Sequence, residues 1–345
     1  MAEIVKQVVG IDVAQNELVV SLGRMNHDTG VDIYAYKIFA NTVAGFGSLT
    51  SWVEKKTVKD VKVRYVMEAT GVYHEHLAYY LSDQEKQISI VLPNKISNYF
   101  RTLDVRTITD RTASQAICQF GLERKLEDWL QPKKIFRNLK QLTRERDQLI
   151  ADRTVLKNQL HAEMSEKFPN QGSIKRISKR IQLINKQELE IKTELSKTVK
   201  EDAELVKKID LITSIPGVGK LTAIIALAET NGFELIKNKK QLISYSGLDV
   251  RLKESGTSVK GKPKISKRGN RHLRKAMHMP AITAIRHNAN HKAIFVRLVS
   301  KHGIKMKAVV AVQKKILGLI YTIYKTNKRF DIDYNKIAIE EVING

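Results

Sequence analysis

Four short apolar runs near the start of the chain, VVGID, ELVVSLG, VDIYAYKIF and VRYVMEA, are rich in β-branched residues and are separated by polar or glycine-containing breaks. Such runs read as strands. The first three lie close together and predict a meander. HEHLAYYL and the segment from Asp110 to Phe120 repeat their apolar positions with helical spacing, and ISIVLP adds a further short strand. A three-stranded meander, then alternating helices and strands, predicts an α/β domain, a mixed sheet of the RNase H type, over residues 1–125.

The period changes over residues 126–208. Leu139, Leu142, Leu149, Leu156 and Leu160 recur at threes, fours and sevens. Ile174, Ile177, Ile181, Ile184, Ile191 and Leu195 do the same after the break FPNQGS. This predicts two long amphipathic helices joined by a turn, with Ser173 as an N-cap. At 1.5 Å per residue each would reach roughly 45–55 Å. An antiparallel coiled-coil arm of that length suits oligomerisation, or a span between domains, better than one compact core.

Residues 209–326 predict an all-α domain, with 327–345 as a C-terminal tail. SIPGVGKLTAIIALAE has the form of a helix-hairpin-helix, in which Gly217, Val218 and Gly219 turn into an apolar helix. Backbone N–H groups at such a helix start, with Lys220 beside them, suit a phosphate oxygen. A plain turn between packed helices is the alternative. Leu221 comes after Gly219 and Lys220 where a P-loop needs Ser or Thr for magnesium, so this is not a P-loop.

Charge narrows the partner. The 345 residues carry a formal net charge of +24, an excess that attracts polyanions and makes nucleic acid the leading partner. Cys118 is the only cysteine, which excludes a disulfide framework and a cysteine-based zinc site. MAEIVKQVVGIDVAQ lacks the apolar run of a signal peptide, and AVVAVQKKILGLIYTIYK is interrupted by Lys314 and Lys315. A cytoplasmic bacterial protein without a membrane partner is expected.

Three acids stand where chemistry could gather. Asp12 ends VVGID, Glu68 ends VRYVME, and Asp110 opens a helix after VRTIT. In an RNase H-type sheet the first and fourth strands are neighbours, so Asp12 and Glu68 would project side by side. The helix start would bring Asp110 to the same end. Converging carboxylates are hard oxygen ligands for Mg²⁺, and two ions roughly 3.5–4 Å apart can clamp a phosphodiester. Taken singly, each acid is more readily a solvated strand end or N-cap; taken together, in this order on a strongly basic chain, they favour the functional reading. GIDVAQNELVVSL is also similar to the first phosphate motif of sugar kinases, but the second glycine motif and the adenosine site of those chains are missing.

A second cluster is basic. Residues 251–275 hold ten Lys or Arg against one acid, Glu254. Lys253, Lys260, Lys262, Lys264, Lys267, Arg268, Arg271, Arg274 and Lys275 are candidate phosphate contacts, the last three at helical spacing. Ser255 lies among them, and Gly256 beside it would let DNA approach without a Cβ in the way. A serine hydroxyl becomes a useful nucleophile only with a base, a metal or positive charge nearby. Ser258 and Ser266 compete for that role, and a solvated basic loop is the other reading.

These segments together resemble the DEDD-type insertion-sequence transposases, number one hundred and ten in the insertion-sequence classification. The carriers are GIDVAQNE, MEATGVYHEHLAYYL and TDRTASQAI, then SIPGVGKLTA, QLISYSGLDV and ESGTSVKGKPKISKRGNRHLRKAMHMPA, in order along nearly the whole chain. The resemblance implies a RuvC-like domain in front, a serine domain behind, and a recombinase that excises and inserts its own element. It implies Mg²⁺ at Asp12, Glu68 and Asp110, and Ser255 as the nucleophile forming a phosphoserine link to DNA. It implies double-stranded donor and target DNA, a structured guide RNA, and homodimers pairing into homotetramers.

One position departs from the family pattern. The usual fourth acid lies three residues after the third, on the same helical face, and here that residue is Ala113. Ser114, Gln115 or water are candidates to fill the gap. Two other readings therefore stay open. One is a RuvC-like junction nuclease using metal-activated water with Ser255 idle. The other is a nucleic-acid-binding protein without chemistry.

Overall fold

The computed structural model describes residues 3–69, 71–103, 107, 109–234, 236–252, 254–255, 259–261 and 263–331, with the backbone alone for 254, 255, 259 and 260. Its contacts divide the chain into two units, Met1–Gln131 and Pro132–Gly345.

The first unit runs β1 (Ile4–Val13), β2 (Glu17–Asn26), β3 (Val31–Ala40), α1 (Val43–Lys56), β4 (Val63–Glu68), α2 (Glu75–Asp83), β5 (Gln87–Val91), α3 (Pro93–Phe100) and α4 (Asp110–Glu123). Its sheet has the order β3-β2-β1-β4-β5. β2 is antiparallel to β1 and β3, whereas β4 is parallel to both β1 and β5. That is the mixed RNase H-type topology expected from the meander and the elements after it.

Alternation along β1 divides the core. Val9, Ile11 and Val13 pack with Phe46, Leu49 and Val53 of α1 and with Leu77 and Leu81 of α2. Val8, on the opposite face, packs with Ile117, Cys118 and Phe120 of α4 and Ile96 of α3. Gly10 makes the second contact possible: a Cβ there would sit 2.3 Å from the backbone nitrogen of Cys118 and 2.4 Å from the carbonyl oxygen of Ser114. Only a glycine lets α4 lie this close to the central strand. Helices α1 and α3 were not legible as apolar spacing, because Gly45 and Gly47 dilute the first and the second has only two turns.

The second unit runs α5 (Lys134–Ser165), α6 (Gln171–Lys200), α7 (Ala203–Ile212), α8 (Lys220–Glu229) and α9 (Lys239–Tyr245). Four short strands come next: β6 (Val250–Arg251), β7 (Glu254–Ser255), β8 (Val259–Lys260) and β9 (Lys264–Ile265). The unit closes with α10 (Arg271–Ala276), α11 (His278–His287), α12 (Ala289–His302) and α13 (Lys305–Thr326).

α5 and α6, of 32 and 30 residues, are the two long helices the spacing predicts. The cap of α6 is Asn170 rather than Ser173. Its side chain accepts from the Ser173 N–H, so Ser173 is the receiving residue three positions on. Between the helices Glu188 is buried and accepts from Arg146, Arg153 and Lys192. Burial alone would raise its carboxyl, but these cations hold it down at about 2. Leu139, Leu142, Ile191 and Leu195 belong to the same apolar cluster as Val312, Ile316 and Ile320 of α13, so the long helices share one continuous core with the C-terminal helices. Among the described residues no helix is long and apolar enough to cross a membrane.

Candidate active site

The acids Asp12, Glu68 and Asp110 are brought to one end of the sheet, at the ends of its inner strands β1 and β4, by three local rules. In the parallel β1–β4 ladder Gly10 pairs with Val66 and Ile11 with Met67, so Asp12 and Glu68 are the next residues along their strands. Asp12 shares its face of β1 with Gly10, the face that α4 covers. Helix α4 begins at that end. Thr109 caps it by accepting from the Thr112 N–H at 3.2 Å, while Thr112 Oγ1 accepts from the Thr109 N–H at 2.8 Å. Asp110 is thereby held in the first turn, where the helix dipole favours a carboxylate. Arg111 lies over the Tyr36 ring at 4.9 Å and ties this helix start to β3.

Asp12 registers the gathering electrostatically. Burial pushes its carboxyl up to about 6, the carboxylates of Asp110 and then Glu68 add to the rise, and a hydrogen bond from the Val13 N–H opposes it. Like charges this close are relieved by a divalent cation, and all three groups offer the oxygen donors that Mg²⁺ takes. Among the described residues no three acidic, histidine or cysteine side chains close into a ready-made cage. The acids are coupled but not drawn together around an ion.

Ser114 does not fill the place left by Ala113. It is fully buried, its Oγ shares a 2.8 Å hydrogen bond with Ser21 Oγ, and it donates to the Arg111 carbonyl at 2.9 Å. It faces the sheet.

Before α10, the described residues of the basic stretch form a short β-arm rather than an open loop. β6 pairs with β9 (Val250 with Ile265, Arg251 with Lys264), and further out β7 pairs with β8 (Glu254 with Lys260, Ser255 with Val259). Strands of two residues carry no sequence periodicity, which is why the arm was invisible there. Lys253, Lys262, Gly256 and Ser258 lie outside the described residues. Ser266 is engaged at the arm's root, its Oγ donating to Asp249 Oδ1 at 2.5 Å and its N–H to the Asp249 carbonyl at 2.8 Å.

Comparison with known proteins assigns the chain. Residues 9–169 match the model for the DEDD transposases of IS110, described as "Transposase", and residues 209–295 match "Transposase IS116/IS110/IS902 family". Together these cover more than half of the chain. The chain belongs to the IS110 family of transposases. "Pilin gene-inverting protein" of Moraxella bovis is 29% identical across 94% of this chain and 98% of its own length, and that of Moraxella lacunata is 28% identical with the same coverage. Thermus thermophilus RuvC in complex with a Holliday junction substrate aligns over 36% of this chain and 99% of its own at 6% identity, with a TM-score of 0.28. That likeness adds nothing to the strand order.

Within this transposase the basic residues separate by partner. Lys264, Lys267, Arg268 and Arg271 are exposed. Arg274 instead donates to the Ser246 carbonyl at 2.8 Å, and Lys275 pairs with Asp147 Oδ1 at 3.0 Å. Helical spacing groups these residues correctly on α10 but does not reveal that two of them are occupied. Burial alone would raise the Asp147 carboxyl, but hydrogen bonds with His272 and Lys275 hold it below the usual range.

In the helix-turn-helix of α7 and α8, Gly217 has φ +89, and a Cβ would meet the Pro280 carbonyl at 2.5 Å. Gly217 therefore packs closely on α11, leaving no room for a side chain. Gly219 caps α8 with nothing within 4 Å of where its Cβ would be, and Lys220 is exposed.

Two residues had no sequence signal. Asn41 Nδ2 donates to the carbonyls of Ala14 at 2.9 Å and Tyr73 at 3.2 Å, tying the turn after Asp12 to the loop after Glu68. Glu229, buried at the end of α8, is the other.

Proposed function

We propose that this transposase exchanges DNA strands through two sets of groups acting on one phosphate: the acids Asp12, Glu68 and Asp110, and the hydroxyl of Ser255. The coupling of Asp12 to Asp110 and Glu68 at one end of the sheet carries this reading. Divalent magnesium ions, two by the geometry usual for phosphodiester chemistry, would supply charge neutralisation at the phosphate when bound to these carboxylates. Asp12 and Glu68 hold the site on adjacent strands, and Asp110 closes it from the helix start.

Ser255 Oγ attacks phosphorus, and the strand's phosphorus–oxygen bond breaks as the phosphoserine bond forms. The leaving sugar oxygen takes up a proton. The bond count is conserved, so the reverse attack by another strand end rejoins DNA without an external energy source. Both double-stranded sites, donor and target, are held by the basic arm, and a structured guide RNA selects them. The chain works as dimers that pair into tetramers, with the long helices α5 and α6 as the assembling element. Inversion, which the names of the Moraxella relatives describe, is the same exchange with both sites on one molecule.

The test uses supercoiled donor and target plasmids with Mg²⁺ and the full-length protein purified with its own RNA. Recombinant junctions should form, and should be lost after nuclease removal of that RNA. Junctions at unchanged yield without RNA would remove the guide from the reading.

Binding separates the arm's residues further. Lys264→Ala, Arg268→Ala and Arg271→Ala should each weaken DNA binding and lower the slope of log affinity against log salt by about one. Arg274→Ala should leave that slope unchanged, because its guanidinium already serves a backbone carbonyl. Filter binding across a salt series checks both.

A further inference from the structure

The root of the β-arm converges on one buried carboxylate. The Glu229 side chain has 0% exposure. It accepts from Arg144 Nε at 2.8 Å and Nη2 at 3.0 Å, and from Asn270 Nδ2 at 2.6 Å. Its backbone carbonyl accepts from Tyr245 Oη at 2.8 Å. Burial alone would raise this carboxyl, but Arg144 and Asn270 hold it below the usual range.

Asn270 passes the constraint outward. Its Oδ1 caps α10 by accepting from the Leu273 N–H at 2.9 Å, and its own N–H donates to the Tyr245 carbonyl at 2.7 Å. One turn on, Arg274 holds the Ser246 carbonyl, and the Lys267 N–H donates to the Gly247 carbonyl at 3.0 Å. The segments that enter and leave the arm, 245–249 and 266–270, are thus cross-tied beside Glu229.

A carboxylate in this position is a poor choice for stability alone. Replacing a buried ion pair by apolar side chains of similar size is often neutral or stabilising, whereas removing one partner is costly. What the charge provides, and an apolar residue could not, is a bidentate hold on α5 and a simultaneous hold on the first residue before α10.

We propose that Glu229 is a positioning residue: through Arg144 and Asn270 it fixes the root of the β-arm and so the direction in which Ser255 and its basic neighbours are presented to DNA. The anchoring comes from the contacts above, and its consequence for chemistry rests on Ser255 being the nucleophile. Glu229 itself touches no reacting atom.

The experiment uses the full-length protein with Glu229→Gln and, in case that variant fails to fold, Asn270→Ala, which leaves the Arg144 pair intact. Backbone amide exchange is read separately over 245–252 and 263–270 and over α13. Transfer of a labelled DNA strand to Ser255 is timed in the same preparations. The expected result is at least tenfold faster exchange at the root with α13 unchanged, and at least tenfold slower adduct formation, while the salt slope of DNA binding stays as in the wild type. Glu229→Asp, which keeps the charge, should recover part of both.

Exchange at the root within twofold of the wild type, or exchange rising equally in α13, would overturn the proposal. A wild-type protein that forms no adduct while Glu229→Gln still loosens the root would refute the role of Ser255 and leave the anchor standing.

Discussion

Ser255→Ala should eliminate the covalent protein–DNA adduct while leaving DNA binding within about twofold. Truncation removes one hydroxyl from a strand position whose backbone pairs with Val259, and it leaves every exposed lysine and arginine of the arm in place. Binding by such an arm is mainly phosphate neutralisation, which a serine does not supply. The chemistry depends on the hydroxyl entirely. Ser266, a competing serine, is committed to Asp249 by two hydrogen bonds at the root. A denaturing gel with end-labelled DNA reads the result, and an undiminished adduct in the variant would mean another nucleophile. If strand cutting persists without any adduct even in the wild type, a metal-activated water does the work, as in a junction nuclease.

Asp12→Asn is the second large effect, and it should split activity from stability. Strand exchange should fall below detection, because the residue lies on the central strand with Glu68 next along its neighbour and is one of only three acids in the proposed site. Folding should improve. The Asp12 carboxyl is raised from 3.8 to about 6 in the folded chain. A raised acid favours the folded state below the unfolded value, and that contribution is lost as pH climbs through about 6. Above that, the charge opposes folding by about 1–2 kcal/mol once its partial exposure is allowed for. Urea unfolding in a chelator should therefore show Asp12→Asn more stable than the wild type at pH 7.5 and equal to it near pH 4. Mg²⁺ should narrow the gap by stabilising the wild type. Equal stability of the two proteins at pH 7.5 would show that neither burial nor the neighbouring carboxylates penalise the Asp12 charge.

The sheet was legible because each central strand is a β-branched run and its order is set by a meander plus crossovers. The acids were legible for the same reason: they end strands or begin a helix, and topology brings such ends together. What escaped was everything fixed by partners distant in sequence. Asn41 joins two carbonyls 27 and 32 residues away, and Glu229 joins Arg144 and Asn270 across 85 and 41 residues. Neither has a period or a motif of its own. Gly217 and Arg274 show the same limit from the other side, since a loop glycine and a helical arginine look free in sequence, whereas Gly217 packs on α11 and Arg274 donates to the Ser246 carbonyl. Buried Ser114, hydrogen-bonded to Ser21, is not free to stand in for the acid that the family resemblance puts at Ala113.

The meeting of the three acids with Ser255 is the central claim, and the direct measurement is the structure of the nucleic-acid-bound assembly with Mg²⁺. One phosphate should be found within bonding reach of Ser255 Oγ from one copy of the chain, with metal-to-carboxylate distances of about 2.0–2.1 Å to Asp12, Glu68 or Asp110. DNA bound along the arm while every Ser255 lies beyond reach of any phosphate held by those acids would contradict it.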